Sequence, residues 1–341
     1  MNYLKRLQLV TVSLSIAGLV LAGTGSAKAK EQSGVDKHVK AAQAFMKAQQ
    51  WDQAIVELTK AIEANPKMTA LYDNRAAMYF NLQKYPEAIA DYTKAIEFHP
   101  KDPHFYINRG TVYRTTNMLP EAIADFSKAI EVAPKDSRGY FERGQTEYQM
   151  NQFDAARADL SKEIELKPDD VHAYRFRGFA DIGKSDWNAA IADFDKVIAA
   201  NPQDGRAYER RGFAKQSLRQ YDAALEDYNK AIAIDPADFV AFDERGYTYS
   251  LMDQWEKAIA DYKMTLSFKP NKPDTLARLA YAKQQLPPPP KPATPPPTPA
   301  PTPVPPLIST EGWIGIGAGA LVVLLIIIVL VARAKMRGHE E

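Results

Sequence analysis

Ala88-Ile89-Ala90-Asp91-Tyr92-Thr93-Lys94-Ala95-Ile96-Glu97, followed by Pro100, decides the fold. Its apolar residues recur three and four apart, the period of an amphipathic helix. The pattern returns at Ala122 to Glu131 and at Ala258 to Phe268. Pro100 belongs to a series spaced by 34 residues: Pro66, Pro100, Pro134, Pro168, Pro202, Pro236 and Pro270. After each comes a short polar stretch and a second helix-forming run, such as Tyr72-Asp73-Asn74-Arg75-Ala76-Ala77-Met78-Tyr79. A proline cannot donate inside a helix, so it ends one, and its fixed φ suits the start of the next. A period of this length means one helix-turn-helix unit copied in tandem, hence a stack of units. No stretch alternates with period two, so no sheet is expected.

With units numbered so that these prolines stand at position 32, six units carry an aromatic at position 4: Tyr72, Tyr106, Tyr140, Tyr174, Tyr208 and Phe242. Position 8 is small throughout (Ala42, Ala76, Gly110, Gly144, Gly178, Gly212, Gly246), and position 20 is alanine from Ala54 to Ala258. Small residues at 8 and 20 allow close approach of two helices; large ones at 4 and 24 fill the space between units. From about Val35 to Lys272 this resembles the tetratricopeptide repeat (TPR) family. The resemblance implies an all-α, right-handed α-solenoid of seven units, at 35–68, 69–102, 103–136, 137–170, 171–204, 205–238 and 239–272. It also implies a capping helix at 273–286. The chain departs from the family pattern at Glu147, where an aromatic is usual at position 11, and at Glu163 and Thr265, where alanine is usual at position 27. Arg75 and its equivalents at position 7, with Asp91 and its equivalents at position 23, read as inter-helix ion pairs or solvated charges that set packing geometry.

The two ends bear on location. Lys5 and Arg6, an apolar run from Leu7 to Ala22 and the small residues up to Ala29 have the order of a secretory signal within 1–29. Cleavage would follow Ala27 or Ala29; an uncleaved anchor is the alternative. Residues 312–332 include about twenty without charge, enough for one transmembrane helix, and Arg333, Lys335 and Arg337 follow in the tail 333–341. The positive-inside bias puts that tail in the cytoplasm and the repeats outside it, in the periplasm or at the cell exterior. Gly315 and Gly319 form a small-xxx-small pattern suited to a homodimer. Between repeats and membrane, 287–310 is a proline-rich linker, read as a stalk, with capture by a partner's aromatic groove as the rival reading.

Composition excludes several chemistries. A net charge of +1 argues against general nucleic-acid binding, and the absence of cysteine removes disulfides and thiol catalysis. The five histidines, His38, His99, His104, His172 and His339, lack metal-ligand spacing, and no phosphate loop or nucleophile elbow occurs. Neither a cofactor nor enzyme activity is expected. In TPRs the inner face of the first helix carries ligand residues, chiefly at positions 2, 5, 9, 12 and 13. Here those positions offer Arg138, Phe141, Tyr148, His172, Arg175, Phe179, Arg206 and Phe213, flanked by His104 and Tyr247. Arginine suits carboxylates and the aromatics offer apolar contact, which points to a peptide with acidic and apolar residues. The family's clamp for chaperone C-termini is absent, since Val39, Gln43, Phe141, Gln145 and Phe176 stand at its positions. The expectation is a membrane-anchored envelope scaffold; a sensor or transport accessory acting through the short tail and a cell-wall glycan binder are the alternatives.

Overall fold

The computed structural model describes residues 26–287. Within them the chain forms fifteen helices and no strand: α1 (Ser26–Lys47), α2 (Trp51–Ala64), α3 (Thr69–Asn81), α4 (Tyr85–Phe98), α5 (Pro103–Thr115), α6 (Leu119–Val132), α7 (Ser137–Gln149), α8 (Phe153–Leu166), α9 (Val171–Gly183), α10 (Trp187–Ala200), α11 (Gly205–Ser217), α12 (Tyr221–Ile234), α13 (Phe239–Leu251), α14 (Trp255–Phe268) and α15 (Pro273–Gln285). Odd-numbered helices up to α13 are the first (A) helices of the seven units, and even-numbered ones the second (B). Each helix packs most extensively on its unit partner and then on the next helix in the chain. Neighbouring A helices also touch, α5 with α7, α7 with α9 and α11 with α13, whereas no two B helices pack to that extent. Closer spacing on the A side sets the A helices on the inside of the curve.

Local chemistry explains the punctuation. Position 15 of every unit has a positive φ, between 56° and 63°, although none is glycine: Gln49, Gln83, Asn117, Asn151, Ser185, Arg219 and Asp253. This left-handed residue lets the chain turn back after each A helix. In unit 2, Lys84 N–H then donates to the Tyr79 carbonyl at 2.8 Å and Gln83 N–H to that of Phe80 at 2.9 Å, satisfying the helix's last acceptors. The repeated proline stands two residues beyond each B helix and three before the next A helix, so it does not open that helix as its fixed φ suggested. An aspartate two residues further on caps the A helix instead: Asp102, Asp136, Asp170, Asp204 and Asp238 accept from the first-turn amides of α5, α7, α9, α11 and α13. Three of these proline carbonyls accept from the position-4 tyrosine: Tyr72 donates to Pro66 at 3.0 Å, Tyr106 to Pro100 at 3.1 Å and Tyr140 to Pro134 at 3.4 Å.

Within a unit the helices meet through small residues. The alanine at position 20 is fully buried in all seven units. A Cβ on Gly110 would lie 2.6 Å from the Phe126 ring, and one on Gly144 2.9 Å from Leu160. Arginine staples the units together. Arg75 Nε and Nη2 each donate to one oxygen of Asp91 at 2.8 Å, while Nη1 donates at 2.9 Å to Thr59, on the preceding unit. The same fork recurs as Arg109 with Asp125 and Thr93, Arg143 with Asp159 and Ser127, Arg177 with Asp193 and Ser161, Arg211 with Asp227 and Asp195, and Arg245 with Asp261 and Asn229. These pairs set packing geometry.

At the last rung α15 packs on α14, and buried Asp243 of α13 accepts from Thr275 at 2.6 Å, from Arg278 at 3.0 Å and from Lys272. At the first, α1 starts nine residues ahead of unit 1, at Ser26. Among the described residues no helix is long and apolar enough to cross a membrane. The expected membrane helix at 312–332, its Gly315 and Gly319, the tail, and all but residues 26–29 of the expected signal lie outside the described residues, as does all but residue 287 of the linker.

Candidate functional site

Position 2 of α5, α7, α9 and α11 lies two residues beyond the aspartate cap, on the A-helix side of the stack. Four successive units place a basic or titratable side chain there: His104, Arg138, His172 and Arg206. They differ in how far their charge is committed. His104 Nε2 lies 3.2 Å from Asp73 of the preceding unit, and Asn108 donates to the other Asp73 oxygen at 3.2 Å. The hydrogen bond to Asp73 pushes the His104 imidazole up, while burial and nearby Arg138 push it down. Arg138 is exposed and folds back on its own cap, Nη2 to Asp136 Oδ2 at 2.6 Å, holding that carboxyl below its usual range. His172 is exposed. Arg206 is exposed too; its guanidinium lies 5.3 Å from the Phe179 ring centre and has no ion-paired carboxylate among the described residues.

Beside this row runs an aromatic cluster that crosses from unit 4 to unit 5. Phe141 meets Phe176 edge-on at 6.0 Å, and Tyr148 lies 6.0 Å from Phe179 and 6.2 Å from Phe176. Phe179 continues into the core against Phe194 at 5.5 Å and is only 9% exposed, so it is the floor beneath Arg206. Phe213, half-buried, rests on Trp187 at 5.9 Å, one unit further on. Arg175 stands apart from the other cations. It is bound to Asp204, the cap of α11, and both side chains are largely buried, so its charge is spent inside the stack. At the flank, Tyr247 carries Arg278 of α15 over its ring at 4.4 Å.

Several contributing residues escaped the sequence reading. Phe176 joins the rings of Phe141, Tyr148 and Phe179, and Trp187 supports Phe213. Position 11, where Glu147 was noted, is also charged in the next two units, at Asp181 and Lys215. Reading that one column through all seven units would have shown it. Burial pushes the Glu147, Glu163 and Glu209 carboxyls up to about 7 and that of Asp181 to about 6. Among the described residues no group of three or more His, Asp and Glu is placed to hold a metal ion.

Comparison with known proteins agrees with the geometry. A family model described as "TPR repeat" matches residues 76–117, and others described as "Tetratricopeptide repeat" match 38–67, 107–171 and 205–238. No curated protein matches the chain. Among solved structures, a tetratricopeptide repeat protein from Parabacteroides merdae is 21% identical, covering 74% of this chain and 99% of its own, with a TM-score of 0.55. The C-terminal part of a TPR repeat-containing protein from Cytophaga hutchinsonii is 20% identical over 70% of this chain and 98% of its own, at 0.59. The Cut9–Hcn1 hetero-tetramer of the APC/C gives 17% identity, 71% of this chain, 48% of the other and 0.53. Such identities speak for the fold alone. With its 34-residue units, small-residue contacts and matched family models, the chain is a member of the tetratricopeptide repeat family.

Proposed function

We propose that the chain is a non-catalytic scaffold whose A-helix groove, over units 3 to 6, binds an extended or helical peptide carrying acidic and apolar residues. The observation that carries this reading is the row at position 2 beside the aromatic cluster. Among the described residues Arg206 is exposed and makes no ion pair, His172 is exposed, and Arg138 pairs with its own cap. A carboxylate gains a charge-assisted, bidentate partner in such an arginine, and the neighbouring rings offer apolar area. The surrounding architecture is read as a right-handed solenoid with the domain layout given above. It is held by the span at 312–332 on the outer side of a membrane, with Gly315 and Gly319 available for pairing of two copies. The charge-flanked apolar runs at both ends support this placement.

The test is capture by the immobilised chain from envelope protein and from isolated cell wall. Protein should be retained, and Arg138→Ala/His172→Ala/Arg206→Ala should lose it. Undiminished capture by the triple variant, or retention of wall glycan alone, overturns the groove assignment.

A further inference from the structure

We propose that the middle of the array is a proton-operated clasp: protonation of Glu147, Glu163 and Glu209 tightens units 4 and 6 and, with them, the groove they carry. As a regulation of binding this rests on the groove reading; as a property of the free chain it does not.

The geometry comes first. All three side chains are buried, and each has one carboxyl oxygen that finds no hydrogen-bond donor among the described residues: Oε2 of Glu147, Oε2 of Glu163 and Oε1 of Glu209. A buried, unpartnered carboxylate oxygen is costly, and adding a proton removes most of that cost. The charged neighbours do not supply the missing donor. Glu147 faces Asp159 of α8, already held in the Arg143 fork, while Arg143 Nε itself stays 3.9 Å from its other oxygen. Glu163 faces the Ser137 hydroxyl of α7, with Asp170 and Lys167 beyond it. Glu209 has Arg210 Nε at 3.2 Å and Arg206 on its own helix, against Asp238 and Glu244 from the α13 side. Desolvation is the largest influence in each case and moves all three from 4.5 to about 7.

The sign follows. A carboxyl raised in the folded state binds its proton more tightly there than in the open chain. Its stabilisation is complete below about 4.5 and is lost as pH rises through about 7. The location gives this a consequence, because Glu147 adjoins Tyr148 and Glu209 lies one turn from Arg206 and Phe213.

Hydrogen–deuterium exchange of the full chain, with no ligand, at pH 5.5 and pH 8 decides the matter, with rates corrected for intrinsic exchange. Helix α6, which contains neither a buried glutamate nor a histidine, is the internal reference. From pH 5.5 to pH 8, protection of α7, α8 and α11 is expected to fall at least about tenfold more than that of α6. Glu147→Gln/Glu163→Gln should flatten the response of α7 and α8, and Glu209→Gln that of α11. Parallel behaviour of α6 and α8 in the wild-type chain, or an unchanged pH response in folded glutamine variants, overturns the proposal. Loss of peptide capture would leave this exchange pattern standing, so the two readings fail separately.

Discussion

Units 2 and 3 share the scaffold columns with units 4 to 6 but differ from them at position 11. Position 11 is Tyr79 and Tyr113 in the first pair, each ring 5.8 Å from the arginine of its own unit's fork. In the middle units it is Glu147, Asp181 and Lys215. Asp181, 1% exposed, takes Arg157 of α8 at 2.8 Å; Lys215 reaches Asp227 at 2.8 Å; Glu147 keeps an oxygen without a donor. The backbone, the Arg–Asp fork and the alanine at position 20 are common to both regions. The scaffold therefore depends on positions 7, 8, 20, 23 and 24, and tolerates charge at 11. The units that depart from the aromatic rule also carry Arg138, His172 and Arg206 at position 2 and the ring cluster. Local rules broken without loss of fold are where function is expected.

The largest test removes what the regions share. Arg109→Ala leaves Asp125, whose side chain is 9% exposed, without its guanidinium. Stability should fall by about 3–5 kcal/mol, read from the urea midpoint, and Arg177→Ala in the middle should cost a similar amount. A loss confined to one region would break the claim that the fork is common scaffold. Next comes Gly110→Val, which drives a side chain into the Phe126 ring and should cost about 2–3 kcal/mol.

The comparison sharpens with Glu163→Ala, which gives unit 4 the residue that unit 3 has in Ala129. At pH 8 this should stabilise the chain by about 1 kcal/mol, and the gain should vanish near pH 5, where the glutamate is protonated. A pH-independent effect would remove the buried charge from the account. The smallest effect is Ser185→Gly, which relieves a φ of 60° and should add roughly 1 kcal/mol. Asn151→Gly should add less, because asparagine tolerates that conformation.

Much of the fold was legible because it is periodic. The prolines, the small residues at 8 and 20 and the paired Arg and Asp recur every 34 residues, so each reading was checked several times over. What a single unit hides was less legible. Seven non-glycine residues in the left-handed region leave no mark in composition, and Pro66 and its equivalents stand between helices instead of opening the next one, the carbonyls of Pro66 and Pro100 accepting from a tyrosine. For the groove, sequence position pointed to a face of the A helices but not to which of its charges are already paired. Arg175 and Arg206 look alike in sequence; only packing shows one bound to Asp204 and the other lying on Phe179. Phe176 stood outside the expected columns, and its part in the cluster depends on rotamers set by two units together.

A peptide array probed with the purified chain tests the central claim most directly. Peptides combining acidic and aromatic residues should retain it and basic ones should not, and Arg206→Ala should weaken retention at least about tenfold, whereas Lys128→Ala on a B helix should leave it unchanged. Equal retention of acidic and basic peptides, or equal losses from the two substitutions, would contradict a groove built on the inner face of the middle units.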